Sequence, residues 1–361
     1  MLTNLSQTIL KDLDPRLRDI IERRFGLKNV NKEPLESIGK DYKITRERVR
    51  QLEENAIFQI ERNLTSEVFD FFKLSENHLK LFGGIRKEDQ FLSELIYLLD
   101  EKTSQLNFNI LNFLLSFDKN LKLIPQNKSH FSFWTNDVNY SEQVLKFING
   151  FYKYLQTKQK SLAISDLEKT VEELAPKYNL GNVPNGILVS YLSLSKLLKF
   201  NPFGYFGTIK MKEIAPTNSG EKALMLFKNV NKPLHFKEVA NYLNSEIHQD
   251  IYFYPGWQKK VNPQTVHNEL IKNKDFVLIG RGVYALKKWG YEPGTVKDII
   301  IDILSKSKKP LSYKEISEKV LKVRQVKPMT IFVNLQNKEY FRKLPNKTYT
   351  LVEKIGKIEQ I

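Results

Sequence analysis

A chain of 361 residues, 41% of them hydrophobic, is longer than one ordinary domain and can fill several small cores. It has no cysteine, which excludes disulfide frameworks, thiolate metal sites and cysteine nucleophiles and fits a reducing, cytoplasmic setting; nor does it show an apolar run of about eighteen residues or an N-terminal leader pattern, so no membrane association is expected. The net charge of +16 is concentrated in residues 217–361, with 26 basic and 14 acidic side chains, against 13 and 11 in 1–64, 8 and 9 in 65–136, and 10 and 7 in 137–216. Such a local excess attracts phosphate backbones, although a solvated lysine-rich surface gives the same sum.

From Asp14 onward Leu17, Ile20, Ile21 and Phe25 recur at helical spacing, and Gly26 stands where a helix C-cap belongs. After a polar loop, Pro34 opens a second helix with the face Leu35, Ile38 and Tyr42. A tight turn at Lys43 and Ile44 leads to Thr45, a good N-cap. The third helix, 46–60, keeps Val49, Leu52, Ala56 and Ile57 on one side and leaves Arg46, Glu47, Arg48, Arg50 and Gln51 for the other. Its first turns hold the bidentate donors and acceptors that base edges in a major groove require. An ordinary surface helix with i, i+4 ion pairs would have the same composition.

The stretches LDPRLRDIIERRFGL at 13–27 and PLESIGKDYKITRERVRQLE at 34–53 resemble region four of bacterial primary sigma factors. In that family the module reads the promoter −35 element in double-stranded DNA and docks on the flap of the RNA polymerase β subunit. The resemblance implies Arg46, Glu47 and Gln51 as base readers, with Thr45, Arg48 and Arg50 nearer the phosphates. Lys43 departs from the glycine usual in the turn, and only a dozen residues precede the motif, so a complete sigma factor is not expected.

Further along, Gly83 and Gly84 precede a helical face of Phe91, Leu95, Leu98 and Leu99, then a second apolar helix at 108–117 and an alternation at Leu121, Leu123, Phe131 and Phe133. The sequence Ser165 to Glu168 predicts a capping box opening a helix, 185–198 another helix, and 200–209 a hairpin.

The C-terminal part repeats itself. KPLHFKEVA at 232–240 matches KPLSYKEIS at 309–317, VNPQTVHNEL at 261–270 matches VKPMTIFVNL at 326–335, and FVLIGRGVYAL at 276–286 matches FRKLPNKTYTL at 341–351. Helix, Lys-Pro-Leu turn, helix, proline-started helix and hairpin is the winged-helix order, with an insertion near His248 to Lys259 in the first copy. Residues 219–352 resemble the HARE-HTH type of winged helix, found in chromatin regulators and restriction enzymes and related in fold to the polymerase delta subunit. A third helix in a groove and a wing on the backbone would nominate Gln264, Thr265, His267, Asn268 and Lys272, with Arg281 on the wing. Lys338, Arg342, Lys343 and Lys347 would serve in the last copy. Many winged helices dock proteins instead.

The expected fold is therefore mainly α with small β-hairpin wings: a helix-turn-helix over 1–64, winged helices over 65–136, 137–216, 217–290 and 291–352, and a tail at 353–361. His78, His130, His235, His248 and His267 have no metal-binding spacing, Gly280 and Gly282 mark a wing turn rather than a nucleotide fingerprint, and Trp134, Trp257 and Trp289 suit core or hinge anchors. No enzyme activity and no cofactor is expected. The leading expectation is a DNA-binding transcription regulator or sigma-like accessory factor. Its rivals are a polymerase-docking protein without sequence-specific DNA contact and the specificity part of a restriction system, for which no nuclease carboxylate cluster is present.

Overall fold

A computed structural model describes residues 1–245, 260–291 and 294–352. The insertion expected at His248 to Lys259, with Trp257, and the tail at 353–361 lie outside the described residues. The described chain is mainly helical with small antiparallel sheets, and divides into two compact units: residues 1–199 with 204–209, and 200–203 with 210 onward.

The first unit opens with helices α1 (Leu2–Leu10), α2 (Pro15–Phe25), α3 (Leu35–Tyr42) and α4 (Arg46–Arg62). Asp14 caps α2 by accepting from the Arg16 N–H at 2.9 Å, and Gly26 closes it at φ 67°, a left-handed conformation that glycine adopts without a Cβ clash. The helix boundaries follow from these local signals, but the packing does not stop at residue 64. Leu2, Leu5, Ile9, Leu13, Leu17 and Ile21 belong to one apolar core with Phe91, Ile110, Phe113, Leu114 and Phe117 from the following segment. The division expected at 64/65 therefore separates elements that share a core.

One order of elements then occurs four times. In the first, α5 (Ser66–Leu81), β1 (Ile85–Lys87), α6 (Glu88–Leu98), α7 (Gln105–Leu115), β2 (Lys122–Ile124) and β3 (Phe133–Thr135) form three helices and a sheet of order β1-β3-β2. The second has α8 (Val138–Lys158), α9 (Ile164–Leu174), α10 (Asn185–Leu192) and the pair β4 (Leu198–Phe200) and β5 (Phe206–Thr208). Its short first strand is reduced to Leu162, which exchanges two main-chain hydrogen bonds of 2.8 Å with Phe206.

In the second unit, α11 (Ser219–Val230), β6 (Leu234–His235), α12 (Phe236–Asn244), α13 (Pro263–Lys272), β7 (Phe276–Gly280) and β8 (Val283–Leu286) give the sheet β6-β8-β7. Then α14 (Val296–Lys306), β9 (Leu311–Ser312), α15 (Tyr313–Val323), α16 (Pro328–Leu335), β10 (Phe341–Lys343) and β11 (Thr348–Leu351) give β10-β11-β9. In every case the strand after the first helix pairs with the second strand of the hairpin. The matched sequence blocks occupy matched places: His235 and Ser312 both close capping boxes, with Glu238 and Glu315.

Four sequence expectations change. The capping box at Ser165 is not formed: α9 begins at Ile164 after Ala163, because the Leu162–Phe206 pairing fixes where the chain leaves the sheet. The helix expected over 185–198 ends at Leu192, since the chain beyond it is captured by 129–131 through Phe131 N–H to Leu194 O (2.9 Å) and Lys196 N–H to Ser129 O (2.8 Å). Leu98 is exposed, as Phe91, Leu92, Leu95 and Ile96 make the buried stripe of α6. Leu123 is exposed on the edge strand β2, whereas the central strand β3 is buried on both faces.

Candidate nucleic-acid interface

The corner between α3 and α4 is set by a small apolar cluster of Ile20, Ile38 and Val49, with Leu35, Tyr42, Ile44 and Leu52 packed around it. Gly39 makes the turn tight. A Cβ there would come within 2.8 Å of Ile44 O, and the Ile44 N–H donates to Gly39 O at 2.9 Å. Polar ties hold α3 to α2: the Tyr42 hydroxyl donates to Asp19 at 2.8 Å, and Arg23 makes a bidentate pair with Glu33 (2.6 and 3.0 Å) and reaches Asp41. These carboxylates raise the Arg23 pKa, and Arg23 holds Glu33 below the ordinary carboxylate range. From behind, the buried Asn109 of α7 donates to Gly26 O (3.1 Å) and Val30 O (2.9 Å), and Phe113 packs on Phe25 with ring centroids 4.8 Å apart.

Lys43 takes the left-handed conformation at φ 54° that the turn demands. Since this conformation costs a side-chain-bearing residue about 1–2 kcal/mol and glycine loses part of that gain to unfolded-chain entropy, Lys43→Gly is expected to stabilise by up to about 1 kcal/mol. A thermal midpoint that falls in the variant contradicts this.

Thr45 caps α4, accepting from the Arg48 N–H at 3.2 Å. Val49, Ala56 and Ile60 are buried, and Thr45, Arg46, Glu47, Arg48, Arg50 and Gln51 are all exposed, so the six nominated side chains share the free N-terminal end of one helix. Several are paired along it. Arg50 binds Glu47 at 2.6 Å and also Glu54, and Arg48 donates to Gln51 at 3.0 Å. The Arg50 guanidinium keeps Glu47 below the usual carboxylate range, so Glu47 stays an acceptor.

The C-terminal nominees lie in the second unit. Gln264, Thr265, Asn268 and Lys272 are exposed along α13, where Gln264 donates to Asn268 at 3.2 Å and Lys272 stands 3.8 Å from Glu269. His267 does not join them. Its ring packs 4.6 Å from that of Phe236 and its Nδ1 is 3.1 Å from the Tyr284 hydroxyl, contacts with its own sheet that turn it inward. Arg281 is exposed at the β7–β8 turn beside Gly282, where a Cβ would meet the His235 and Phe236 rings. Arg342 and Lys343 stand on β10 opposite Thr350 and Tyr349, Lys347 (φ 62°) is in the turn of that hairpin, and Lys338 follows α16; all four are exposed. Sequence reasoning missed Arg324, a buried guanidinium in this unit, and the outward face of α16. Comparing the two repeat copies position by position carries the signal for the second.

Among the described residues no helix is long and apolar enough to cross a membrane, and no group of three His, Asp or Glu side chains is placed to hold a metal ion.

No solved structure matches the chain. Against curated proteins, it is 36% identical over 66 residues to a chloroplastic RNA polymerase sigma factor, sigF, of Arabidopsis thaliana, covering 18% of this chain and 12% of that protein. It is 41% identical over 51 residues to the RNA polymerase sigma factor SigA of a Nostoc species, covering 14% and 13%. A longer and weaker likeness, 25% over 321 residues, covers 81% of this chain and 12% of Protein Ycf2 of Anthoceros angustus. The chain thus spans only about an eighth of the length of these relatives. Residues 9–60, which build the α2–α3–α4 corner, match the family Sigma-70, region 4.

Proposed function

We propose that the chain is a DNA-binding transcription regulator, a sigma-like accessory factor whose α4 reads a promoter-like duplex while the basic second unit grips DNA as a pair of winged helices. The observation that carries this reading is the family match over 9–60 together with the exposure of Arg46, Glu47 and Gln51 on the first turns of α4. Arginine donates to guanine, glutamate accepts from cytosine and glutamine pairs with adenine. Thr45, Arg48 and Arg50 serve the phosphates, as do Lys272, Arg281, Lys338, Arg342, Lys343 and Lys347, with Gln264, Thr265 and Asn268 facing the groove. Modules tethered on one chain raise each other's effective concentration, so weak contacts sum. A soluble, non-enzymatic, cytoplasmic role and contact with core RNA polymerase through the β flap belong to the same reading.

Selection of bound duplexes from a random pool, followed by salt titrations of the winners, tests it. A motif resembling a −35 element is expected. Arg46→Ala should cost about 1–3 kcal/mol of discrimination between the motif and other duplexes, and Lys343→Ala should weaken all duplexes alike and reduce the salt slope by about 1. Unchanged binding in both variants refutes the reading.

One observation favours a second reading, docking on core polymerase without base contact: Glu47 and Gln51 already accept hydrogen bonds from Arg50 and Arg48. Core polymerase capture that survives substitution of Arg46, Glu47 and Gln51, with no motif in the selection, distinguishes it.

A further inference from the structure

The two proline-started helices of the second unit, α13 and α16, hold the same place in the same order of elements, yet present opposite chemistry outward. Gln264 and Asn268, exposed on α13, correspond to Met329 and Val333 of α16, and His267, packed against Phe236, corresponds to the exposed Phe332. The inward positions agree, Val266 and Leu270 against Ile331 and Leu335, all buried. So the helices pack alike, and the difference is confined to the free face. Met329 is 66% exposed, Val333 60% and Phe332 42%, a contiguous i, i+3, i+4 set of large apolar groups in water. Phe332 is held in place edge-on to Tyr313 (centroids 6.0 Å), whose hydroxyl donates to Pro328 O at 3.0 Å.

Between Glu318 and Glu339 the chain around this face is basic. Residues 319–338 contain five basic side chains and no acidic one, and 294–352 contain 13 basic and 5 acidic. Lys322 in the last turn of α15, Lys327 at the start of α16 and Lys338 just after it are exposed; Arg324, the buried member, takes no part. A duplex would meet a helix with no donor or acceptor at the positions where α13 offers Gln264 and Asn268. A second copy would bring two such positive surfaces together in a self-complementary contact. What satisfies both features is a chain with apolar residues at helical spacing and carboxylates around them.

We infer that the outer face of α16, formed by Met329, Phe332 and Val333 within its lysine rim, docks an acidic amphipathic helical segment of a protein partner. Methionine suits such a face because its unbranched side chain adapts to the incoming surface.

The test uses the full chain and fluorescence anisotropy with three labelled probes: a peptide with leucine or phenylalanine at i, i+3, i+4 and i+7 and glutamate elsewhere, a scrambled peptide of the same composition, and a random duplex. The patterned peptide should bind at least roughly tenfold more tightly than the scrambled one. The charge-neutral double variant Met329→Ser/Val333→Ser should bring it to the scrambled level, and Phe332→Ser should do the same; circular dichroism confirms that each is folded. Arg46→Ala should leave peptide binding unchanged, which separates this inference from the DNA-reading proposal. Equal binding of both peptides overturns the inference. So does loss of duplex binding in the serine variants, which would make the face a nucleic-acid contact, or a concentration-dependent dimer that those variants abolish.

Discussion

Phe113→Ala is expected to destabilise the first unit by about 3–5 kcal/mol, the range for removing a buried phenyl ring from a core that cannot collapse around the void. Phe113 is 1% exposed, touches Phe25 across the α2–α7 interface and stacks edge-on with Phe117 at 5.1 Å. It lies one helical turn from Asn109, whose amide holds the Gly26 and Val30 carbonyls, so α7 is the platform on which the α2–α3 loop rests. At about 2–4 °C per kcal/mol for a unit of this size, the thermal midpoint should fall by roughly 6–20 °C. Because one core runs through residues 2–134, the corner that presents Arg46 should melt together with α5–α7 in a single calorimetric transition. Two transitions, with the N-terminal helices unaffected, would contradict the shared core. Phe58→Ala is the control: that ring is 57% exposed and its loss should cost no more than about 0.5 kcal/mol.

Arg324→Ala should be the next most costly change, at about 2–4 kcal/mol in the second unit, from losing charge-assisted hydrogen bonds worth about 1.5–3 kcal/mol each, less the relief of a buried charge. Arg324 ends α15, is 5% exposed, and donates through one guanidinium nitrogen to Leu278 O on β7 and through the other to Gly294 O ahead of α14. Burial lowers its pKa, and the charge of Asp298 partly offsets this. Beside it the Gln325 N–H donates to Ile279 O at 3.2 Å, and a Cβ on Gly280 would come within 2.9 Å of Gln325 O. The last repeat thus covers the open edge of the preceding repeat's hairpin, a strand edge that would otherwise present unpaired main-chain groups. Scanning calorimetry of the unit should change from one transition to two in the alanine variant. Arg324→Lys should recover little, since an ammonium is a point donor and cannot span both carbonyls. A variant that still unfolds in one step at the parent midpoint would show that the two repeats are held together elsewhere.

Local elements are readable from the chain wherever a backbone signal is complete within a few residues. Asp14 and Gly26 bracket α2, Thr45 starts α4, and the duplicated Lys-Pro-Leu, proline-helix and hairpin blocks reproduce one topology in both C-terminal copies. Caps and turns are satisfied by neighbours in the chain, so they are legible in it. The exposed face of α4 is legible for the same reason: its buried side, Val49 and Ala56, repeats at helical spacing. Features that depend on residues far apart in the chain emerge only on folding. Leu162 pairing with Phe206 moved the start of α9, the 129–131 segment ended α10, and Tyr284 with Phe236 drew His267 away from the free face of α13. The same holds for Asn109 and Arg324, each of which satisfies two main-chain carbonyls distant in sequence. A hydrogen bond or a core contact across such distances leaves no periodic trace in the chain, and only folding brings its two halves together.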